Sequence, residues 1–292
     1  AVFDHHTIAD IASAVTSLLR DHVVAPTLPP PSSSAPGAAV AVTGVAVSLP
    51  GGLTSLSDLW NALMTKASFG SQVPGSRWPP QPTSASAPGA VQQRLRWGAF
   101  LDDPGLFDAS FFGMSAAEAQ ATDPQARLLL THVAYALADA GMLGLGASVD
   151  GSTSSLSAAP PSNVGVFVAI QNHDFATLCS QSKASSSGAF AAIGADLSAA
   201  AGRISHTFNF VGPAVTIDTA CSSGLVALDA AMKALRDGDC DAAVVAGVKL
   251  ILTPDVQVAT AVAGMTSPTG ACHTFDKAAD LAPFLPFIKA AV

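Results

Sequence analysis

The residues best suited to chemistry are gathered in one short stretch, Asp218-Thr219-Ala220-Cys221-Ser222-Ser223. Cys221 is a candidate nucleophile, because a cysteine thiolate can attack a carbonyl carbon and form a covalent acyl intermediate. The residues beside it are small, so a substrate carbonyl has room to approach the backbone. The stretch therefore indicates covalent catalysis through a cysteine.

Two predicted elements position this cysteine. Ala214 to Ile217 is short, apolar and β-branched, which predicts a buried strand. A helix is predicted to follow and to end at Gly238, because apolar residues recur at helical spacing at Leu225, Leu228, Met232 and Leu235. Cys221 would then lie in the turn at the helix N-terminus, where free N–H groups and the helix dipole favour a thiolate. Such a strand–turn–helix arrangement is a nucleophile elbow with sulfur in place of oxygen.

The cysteines have a second interpretation. A lone cysteine in an apolar stretch is usually a small buried hydrophobe, and the strand–turn–helix pattern by itself leaves both interpretations open. No C-x-x-C spacing occurs among the four cysteines, which are Cys179, Cys221, Cys240 and Cys272. They fit neither a zinc site nor a disulfide framework, and they favour a reducing compartment.

Composition excludes several other classes of protein. The chain has 292 residues, of which 49% are hydrophobic and 12% charged, which favours an α/β enzyme-like domain. The net charge of −8 without a Lys/Arg cluster argues against a nucleic-acid partner. No apolar stretch reaches the roughly 18 residues of a membrane span, and no signal-peptide pattern opens the chain. We therefore expect a cytoplasmic protein, and the first residue, Ala1, suggests a fragment.

Several segments together resemble the β-ketoacyl synthases, the condensing enzymes of polyketide and fatty acid synthesis. The run from Asp218 to Ser223 resembles the active-site signature of that family. Further resemblances are carried by Val73-Pro74-Gly75-Ser76-Arg77-Trp78, Asp123-Pro124-Gln125-Ala126-Arg127, Met265-Thr266-Ser267-Pro268-Thr269-Gly270 and Thr274-Phe275-Asp276. The resemblance covers residues 38–280, the N-terminal half of a ketosynthase.

The resemblance implies a fold and a reaction. The fold would be α/β and thiolase-like, and this chain would hold the N-terminal half of the αβαβα ketosynthase body. Cys221 would take an acyl group from a carrier-bound thioester, with its own backbone N–H as one oxyanion donor. A malonyl-type unit would then lose CO₂ and attack the acyl-cysteine. No cofactor would bind directly, since the substrates are phosphopantetheine thioesters on an acyl carrier protein, and the full-length protein would be a homodimer.

Two histidines that complete the family site belong to motifs absent from this chain. The seven histidines of the sequence have neither context, so the acyltransferase would be incomplete. One alternative is therefore a catalytically incompetent half-ketosynthase that acts as a binding or assembly partner. Another is an unrelated cysteine hydrolase, which lacks a convincing His/Asn partner for Cys221.

The sequence also predicts the domain organisation. Residues 1–24 resemble the C-terminal helix of an acyl carrier domain, on the pattern Phe3-Asp4-His5-His6-Thr7. Residues 25–37 form a Pro/Ser-rich linker. The ketosynthase N-terminal half follows at 38–280, and 281–292 is a divergent apolar tail, after which we expect the remaining half to be missing.

Overall fold

The computed structural model describes residues 39–78, 88–143, 162–182, 190–271 and 288–291. The chain divides into two compact units, Ala1–Ala39 and Val40–Val292. All described residues except Ala39 belong to the second unit. The predicted carrier-like helix at 1–24, the linker at 25–37 and Cys272 lie outside the described residues.

The described part of the chain alternates strands and helices. The strands are β1 Val45–Ser48, β2 Ser71–Gln72, β3 Trp97–Gly98, β4 Val164–Ile170, β5 Ala214–Ile217, β6 Ala242–Val248 and β7 Ile288–Ala291. The helices are α1 Leu56–Met64, α2 Gly89–Arg94, α3 Ala116–Ala121, α4 Pro124–Asp139, α5 Asp174–Gln181, α6 Ala191–Gly194, α7 Ala199–Phe208, α8 Ser223–Asp237 and α9 Asp255–Val262. Strands β2 and β3 form a small antiparallel pair.

The central sheet has five strands in the order β1-β7-β6-β4-β5. Strand β4 is parallel to both β5 and β6, whereas β7 is antiparallel to both β6 and β1. The sequence predicts a parallel pair from the β5-α8-β6 unit. The structure confirms that both strands run in the same direction, but β4 lies between them. The carboxyl ends of β5, β4 and β6 therefore meet at one edge of the sheet.

Strand β7 lies within the stretch 281–292, which is predicted to be a divergent tail. Its residues pair with two neighbours, so that Ala291 lies opposite both Val45 and Val245. Strand β1 reaches the sheet only through β7. The end of the chain thus supplies a strand of the sheet, although no strand is predicted there from the sequence.

The two faces of the sheet carry cores of different character. Along β4, one set of alternating residues (Val164, Val166, Val168) joins a large core with the leucines of α4 and the apolar face of α7. The other set (Phe167, Ala169) joins a smaller core with the alanines of α8. Because successive residues of a strand point to opposite faces, α4 and α7 cover one face and α8 covers the other. The three layers confirm the predicted α/β class.

Helix starts follow from capping chemistry. The predicted helix break at Asp123-Pro124 is confirmed, because α3 ends at Ala121 and Asp123 is the N-cap of α4 with Pro124 in its first turn. The run Ser57-Asp58-Leu59-Trp60 predicts a capped helix start at Ser57, but helix α1 begins slightly earlier, at Leu56. Its N-cap is Ser55, whose side chain and that of Asp58 form a capping box.

Two strand predictions need correction. Ala38 to Val47 is predicted to be one apolar β run, but β1 covers only Val45–Ser48, the part that is paired with β7. Ala214 to Ile217 is a strand, as predicted, but it is not buried. The reason is topological, because among the described strands β5 is the outermost of its sheet and pairs only with β4.

Substitution of two glycines tests how closely the segment before β1 approaches α4. Gly44 lies in that segment, and Gly202 in α7 is the control. A Cβ on Gly44 would meet the backbone oxygen of Ala136 at 2.1 Å, whereas a Cβ on Gly202 in α7 would meet nothing within 4 Å. We expect Gly44→Ala to lower the free energy of unfolding by about 1–3 kcal/mol through overpacking. Gly202→Ala should raise it by up to about 1 kcal/mol through helix propensity. Denaturant titration measures both, and equal effects would contradict the packing described.

The α4 cap predicts a pH dependence of stability. Burial raises the pKa of Asp123 to about 6, despite hydrogen bonds from Gln125. Because the folded-state pKa lies above the unfolded value, the folded state binds the proton more tightly, and stability falls as the pH rises from about 4 to 6. Asp123→Asn keeps a capping oxygen but removes this titration. The free energy of unfolding is measured by denaturant titration at pH 4 and at pH 7.5. The variant should exceed the wild-type chain by about 2 kcal/mol at pH 7.5 and should equal it at pH 4. An equal difference at both pH values would contradict this account.

Candidate active site

Cys221 lies in a 3₁₀ turn, Ala220–Ser222, directly between β5 and α8. The predicted strand–turn–helix arrangement is thus present, and α8 ends at Gly238 in the left-handed conformation, as predicted. The Cys221 residue is exposed, whereas Cys240 is buried. The alternative interpretation of Cys221 as a buried hydrophobe is therefore wrong.

The turn is held in a strained conformation by its own side chains. Ala220 has a φ of 58°, in the left-handed region that non-glycine residues rarely adopt. Its N–H donates to Oδ1 of Asp218 at 2.9 Å, and its carbonyl accepts from the Ser223 hydroxyl at 2.7 Å. Ser223 Oγ also accepts from the Thr219 N–H at 2.8 Å. Such over-determined strain is typical of residues beside a reactive group.

Lys249 lies directly after β6, which is separated from β5 in the sheet by β4. The Lys249 ammonium donates to Oε1 of Gln171, the residue directly after β4, at 2.8 Å. Burial lowers the pKa of Lys249 to about 8, and electrostatic interactions with Asp174, Asp218 and Cys221 oppose that shift. The candidate nucleophile therefore shares its surroundings with a half-buried cation.

No sequence motif identifies Lys249. The available signal is its position, because the apolar run Asp239 to Val248 before it predicts a buried strand, and the order strand, helix, strand predicts that it is parallel to the strand before Cys221. Because parallel strands end at the same edge of a sheet, residues after them come together. The pairing with Gln171 could not be predicted, since it depends on β4 lying between the two strands.

Buried polar side chains hold the backbone beyond Lys249 in place. Gln125 at the start of α4 accepts from the Leu250 N–H at 3.0 Å and donates to the Asn172 carbonyl at 3.3 Å. Asp174 Oδ2 accepts from the N–H groups of Leu252 and Thr253 at 2.8 and 3.0 Å. The two side chains are almost fully buried, so the loop after β6 is fixed against the start of α5.

The polar turn after β4 carries strain of its own. Asn172 has a φ of 77°, and its buried Nδ2 has no hydrogen-bond partner within the described ranges. From the sequence we interpret His173 and His206 as structural and packing residues, with no acid–base role. His173 is the N-cap residue of α5 and makes no side-chain capping bond, and His206 lies in the last turn of α7.

Helix α8 presents the large apolar residues of its first turns, Leu225 and Leu228, away from its buried face. Its buried face consists of small residues, namely Ser223, Ala227, Ala231 and Ala234. Leu225 is 75% exposed and Leu228 is 40% exposed, although both belong to the predicted apolar stripe. The helix is thus confirmed, whereas its long apolar side chains form an exposed face beside Cys221.

Metal binding and membrane spanning can both be assessed for the described ranges. In that part of the chain, no group of three or more His, Cys, Asp or Glu side chains could hold a metal ion. No helix within the same ranges is long and apolar enough to cross a membrane.

The chain is similar to polyketide synthases. The model of the family described as "Beta-ketoacyl synthase, N-terminal domain" matches residues 38–281. A mycocerosic acid synthase-like polyketide synthase of Mycolicibacterium smegmatis is 40% identical over 244 residues, which cover 83% of this chain and 11% of the relative. The polyketide synthase ThaG of Burkholderia thailandensis is 39% identical over 249 residues, which cover 82% of this chain and 4% of the relative.

Solved ketosynthase structures share the fold. The oxazolomycin ketosynthase domain OzmH KS7 of Streptomyces albus JA3453 superposes with a TM-score of 0.69 at 31% identity, covering 86% of this chain and 41% of that one. The ketosynthase from module 6 of the bacillaene synthase of Bacillus subtilis 168 gives a TM-score of 0.68 at 28% identity, covering 86% and 39%.

The family match and the solved structures both place this chain in the N-terminal part of a ketosynthase. The chain spans 11% or less of the length of the two curated relatives and about two fifths of the length of the two solved ketosynthases. The described layers correspond to the N-terminal half of the thiolase-like ketosynthase fold. The chain belongs to the β-ketoacyl synthase family, and residues 38–281 match the N-terminal ketosynthase domain found in polyketide synthases.

Proposed function

We propose that this chain is the acyl-accepting half of a β-ketoacyl-[acyl-carrier-protein] synthase in polyketide or fatty acid biosynthesis, with Cys221 as its nucleophile. The observation that carries the proposal is the exposed Cys221 in a strained turn between β5 and α8. The ketosynthase family match over residues 38–281 supports it. Activity of the isolated chain, its substrates and its partners all belong to this proposal.

The proposed first stage is transthioesterification. The Cys221 thiolate attacks the carbonyl carbon of an acyl group that is held as a phosphopantetheine thioester on an acyl carrier protein. A new C–S bond forms to Cys221, the bond to the pantetheine sulfur breaks, and the departing thiolate takes a proton from water. The backbone N–H of Cys221 is the proposed oxyanion donor, since the first N–H groups of a helical segment have no intrahelical partner.

The second stage is the decarboxylative condensation with a malonyl-type thioester. The family's two histidine motifs are absent from this sequence, so the C-terminal half would have to supply them. The exposed apolar face of α8, which includes Leu225, Val226 and Leu228, supports docking of that half beside Cys221. The same face supports the alternative function, a half-ketosynthase that lacks activity and serves as a binding or assembly partner.

The proposed partners follow from other features of the chain. Strand β5 is the outermost strand, with Val211 before it 70% exposed. In the described part of the chain no strand pairs with its outer edge, and such an edge beside an exposed apolar residue supports a homodimer in the full-length protein. Residues 1–24 are proposed to be the tail of an acyl carrier domain, on the pattern from Phe3 to Thr7, followed by a linker at 25–37 and the ketosynthase half at 38–280.

Acylation of Cys221 tests the proposal. The chain is incubated with a short acyl thioester at pH 7, and the intact mass and the peptide map are measured. We expect one acyl group on Cys221, its loss in Cys221→Ala, and its retention in the control Cys179→Ala, because Cys179 lies in α5 and is not part of the β5-α8 turn. Equal labelling of the wild-type chain and Cys221→Ala would refute Cys221 as the acyl acceptor.

Substitutions on the two faces of α8 test whether its outer face is a docking surface. Leu225→Gln should change the free energy of unfolding by less than about 0.5 kcal/mol, because the residue is exposed in this chain, and it should reduce self-association. Ala231→Leu, on the buried face, should cost about 1–3 kcal/mol through overpacking. Thermal unfolding and light scattering measure the two effects. A large destabilisation by Leu225→Gln would place that face in the core instead.

A further inference from the structure

We propose that Lys249 is a positioning residue for the Cys221 nucleophile, and that its ammonium group stabilises the Cys221 thiolate across the carboxyl edge of the sheet. This inference rests on the proposed function, since it assigns a charged partner to the proposed acyl acceptor. It concerns a residue that neither the cysteine motif nor the histidine motifs of the family include.

The strand order brings the two residues to the same edge. In the parallel pairing, Ile170 of β4 lies opposite Val248 of β6, and Ala169 of β4 lies opposite Ile217 of β5. The three strands therefore end nearly level with one another. Adjacent strands are about 4.8 Å apart, so a long side chain after β6 can extend over the end of β4 towards the residues that follow β5.

The contacts of Lys249 show that its side chain takes this direction. Its ammonium donates to Oε1 of Gln171 at 2.8 Å, which places it over the end of the middle strand, β4. The groups that interact with the ammonium electrostatically belong to two other parts of the chain. Asp174 lies at the start of α5, whereas Asp218 and Cys221 follow β5.

The backbone that carries Lys249 is anchored. Leu250 N–H donates to the buried Gln125 side chain, and the N–H groups of Leu252 and Thr253 donate to the buried carboxylate of Asp174. These buried hydrogen bonds are costly to break. The position of the ammonium relative to the cysteine turn is thus set by the folded core, and no loop rearrangement is needed to bring it there.

The charge of Lys249 is available near neutral pH. Burial lowers its pKa to about 8, so at pH 7 most of the molecules carry the ammonium. A cation that is partly removed from water interacts more strongly with a nearby anion than a fully solvated cation does. A positive charge at the same edge of the sheet stabilises negative charge on the sulfur when it attacks an electrophile. The expected effect is a faster reaction of the Cys221 sulfur with an electrophile.

Alkylation kinetics test this effect without requiring acyl transfer. Iodoacetamide labelling of Cys221 is followed at pH 7 by peptide mapping in the wild-type chain and in three variants. We expect labelling to be about fivefold slower or more in Lys249→Gln, and within about twofold of wild type in Lys249→Arg, which keeps the charge. The matched control is Lys233→Gln, which removes an exposed cation on α8 and should leave the rate unchanged. An unchanged rate in Lys249→Gln would overturn the inference.

Thermodynamic linkage provides a second test that keeps the positive charge of Lys249. The lysines are dimethylated with ¹³C-labelled formaldehyde, and the titration of Lys249 is followed by NMR in the wild-type chain and in Cys221→Ala. A thiolate beside the ammonium favours the protonated lysine, so removing it should move the titration midpoint of Lys249 to lower pH. Identical midpoints in the two proteins would overturn the inference, whatever Lys249→Gln does to folding.

The inference and the proposed function can fail separately. If a short acyl thioester acylates Cys221 equally fast in the wild-type chain and in Lys249→Gln, Lys249 has no role and the acyl acceptor stands. If Cys221 of the wild-type chain is alkylated in a Lys249-dependent manner but is never acylated, the electrostatic pair stands and the proposed acyl transfer is refuted.

Discussion

The short turn between β5 and α8 is the constraint on which the rest of the site depends. Ala220 is held in a left-handed conformation because Asp218 and Ser223 satisfy its N–H and carbonyl groups. This conformation allows the chain to leave the strand and enter the helix within a few residues. As a result Cys221 is exposed at the edge of the sheet. A buried sulfur could not meet a substrate carried on a flexible arm.

The size of the residues on α8 determines what surrounds that cysteine. Alanines such as Ala227 and Ala231 make the sheet-facing side of the helix, which allows a close approach of the helix to β4 and β6. The long apolar side chains, such as Leu225, are then left on the outer side. An exposed apolar face of this kind is typical of a docking surface. We propose that the C-terminal half of a ketosynthase docks on this face.

Local features of the fold could be predicted from the sequence, because they depend on nearby residues. The strand before Cys221, the helix after it, its end at Gly238 and the break at Asp123-Pro124 all follow from local propensity and capping. Burial could not be predicted equally well. Whether Ala214–Ile217 is a central or an edge strand depends on strand order, which is set by contacts distant in sequence.

The candidate site also combines a feature that can be predicted from nearby residues with one that depends on strand order. The candidate nucleophile could be singled out because its motif is contiguous, whereas the pairing of Lys249 with Gln171 joins residues 78 positions apart. The most direct measurement of the central claim is crosslinking of this chain to an acyl carrier protein whose phosphopantetheine arm ends in a thiol-reactive electrophile. We predict a one-to-one adduct through Cys221. An adduct through another cysteine, or none although iodoacetamide reaches Cys221, would contradict the claim that this cysteine receives acyl groups from a carrier protein.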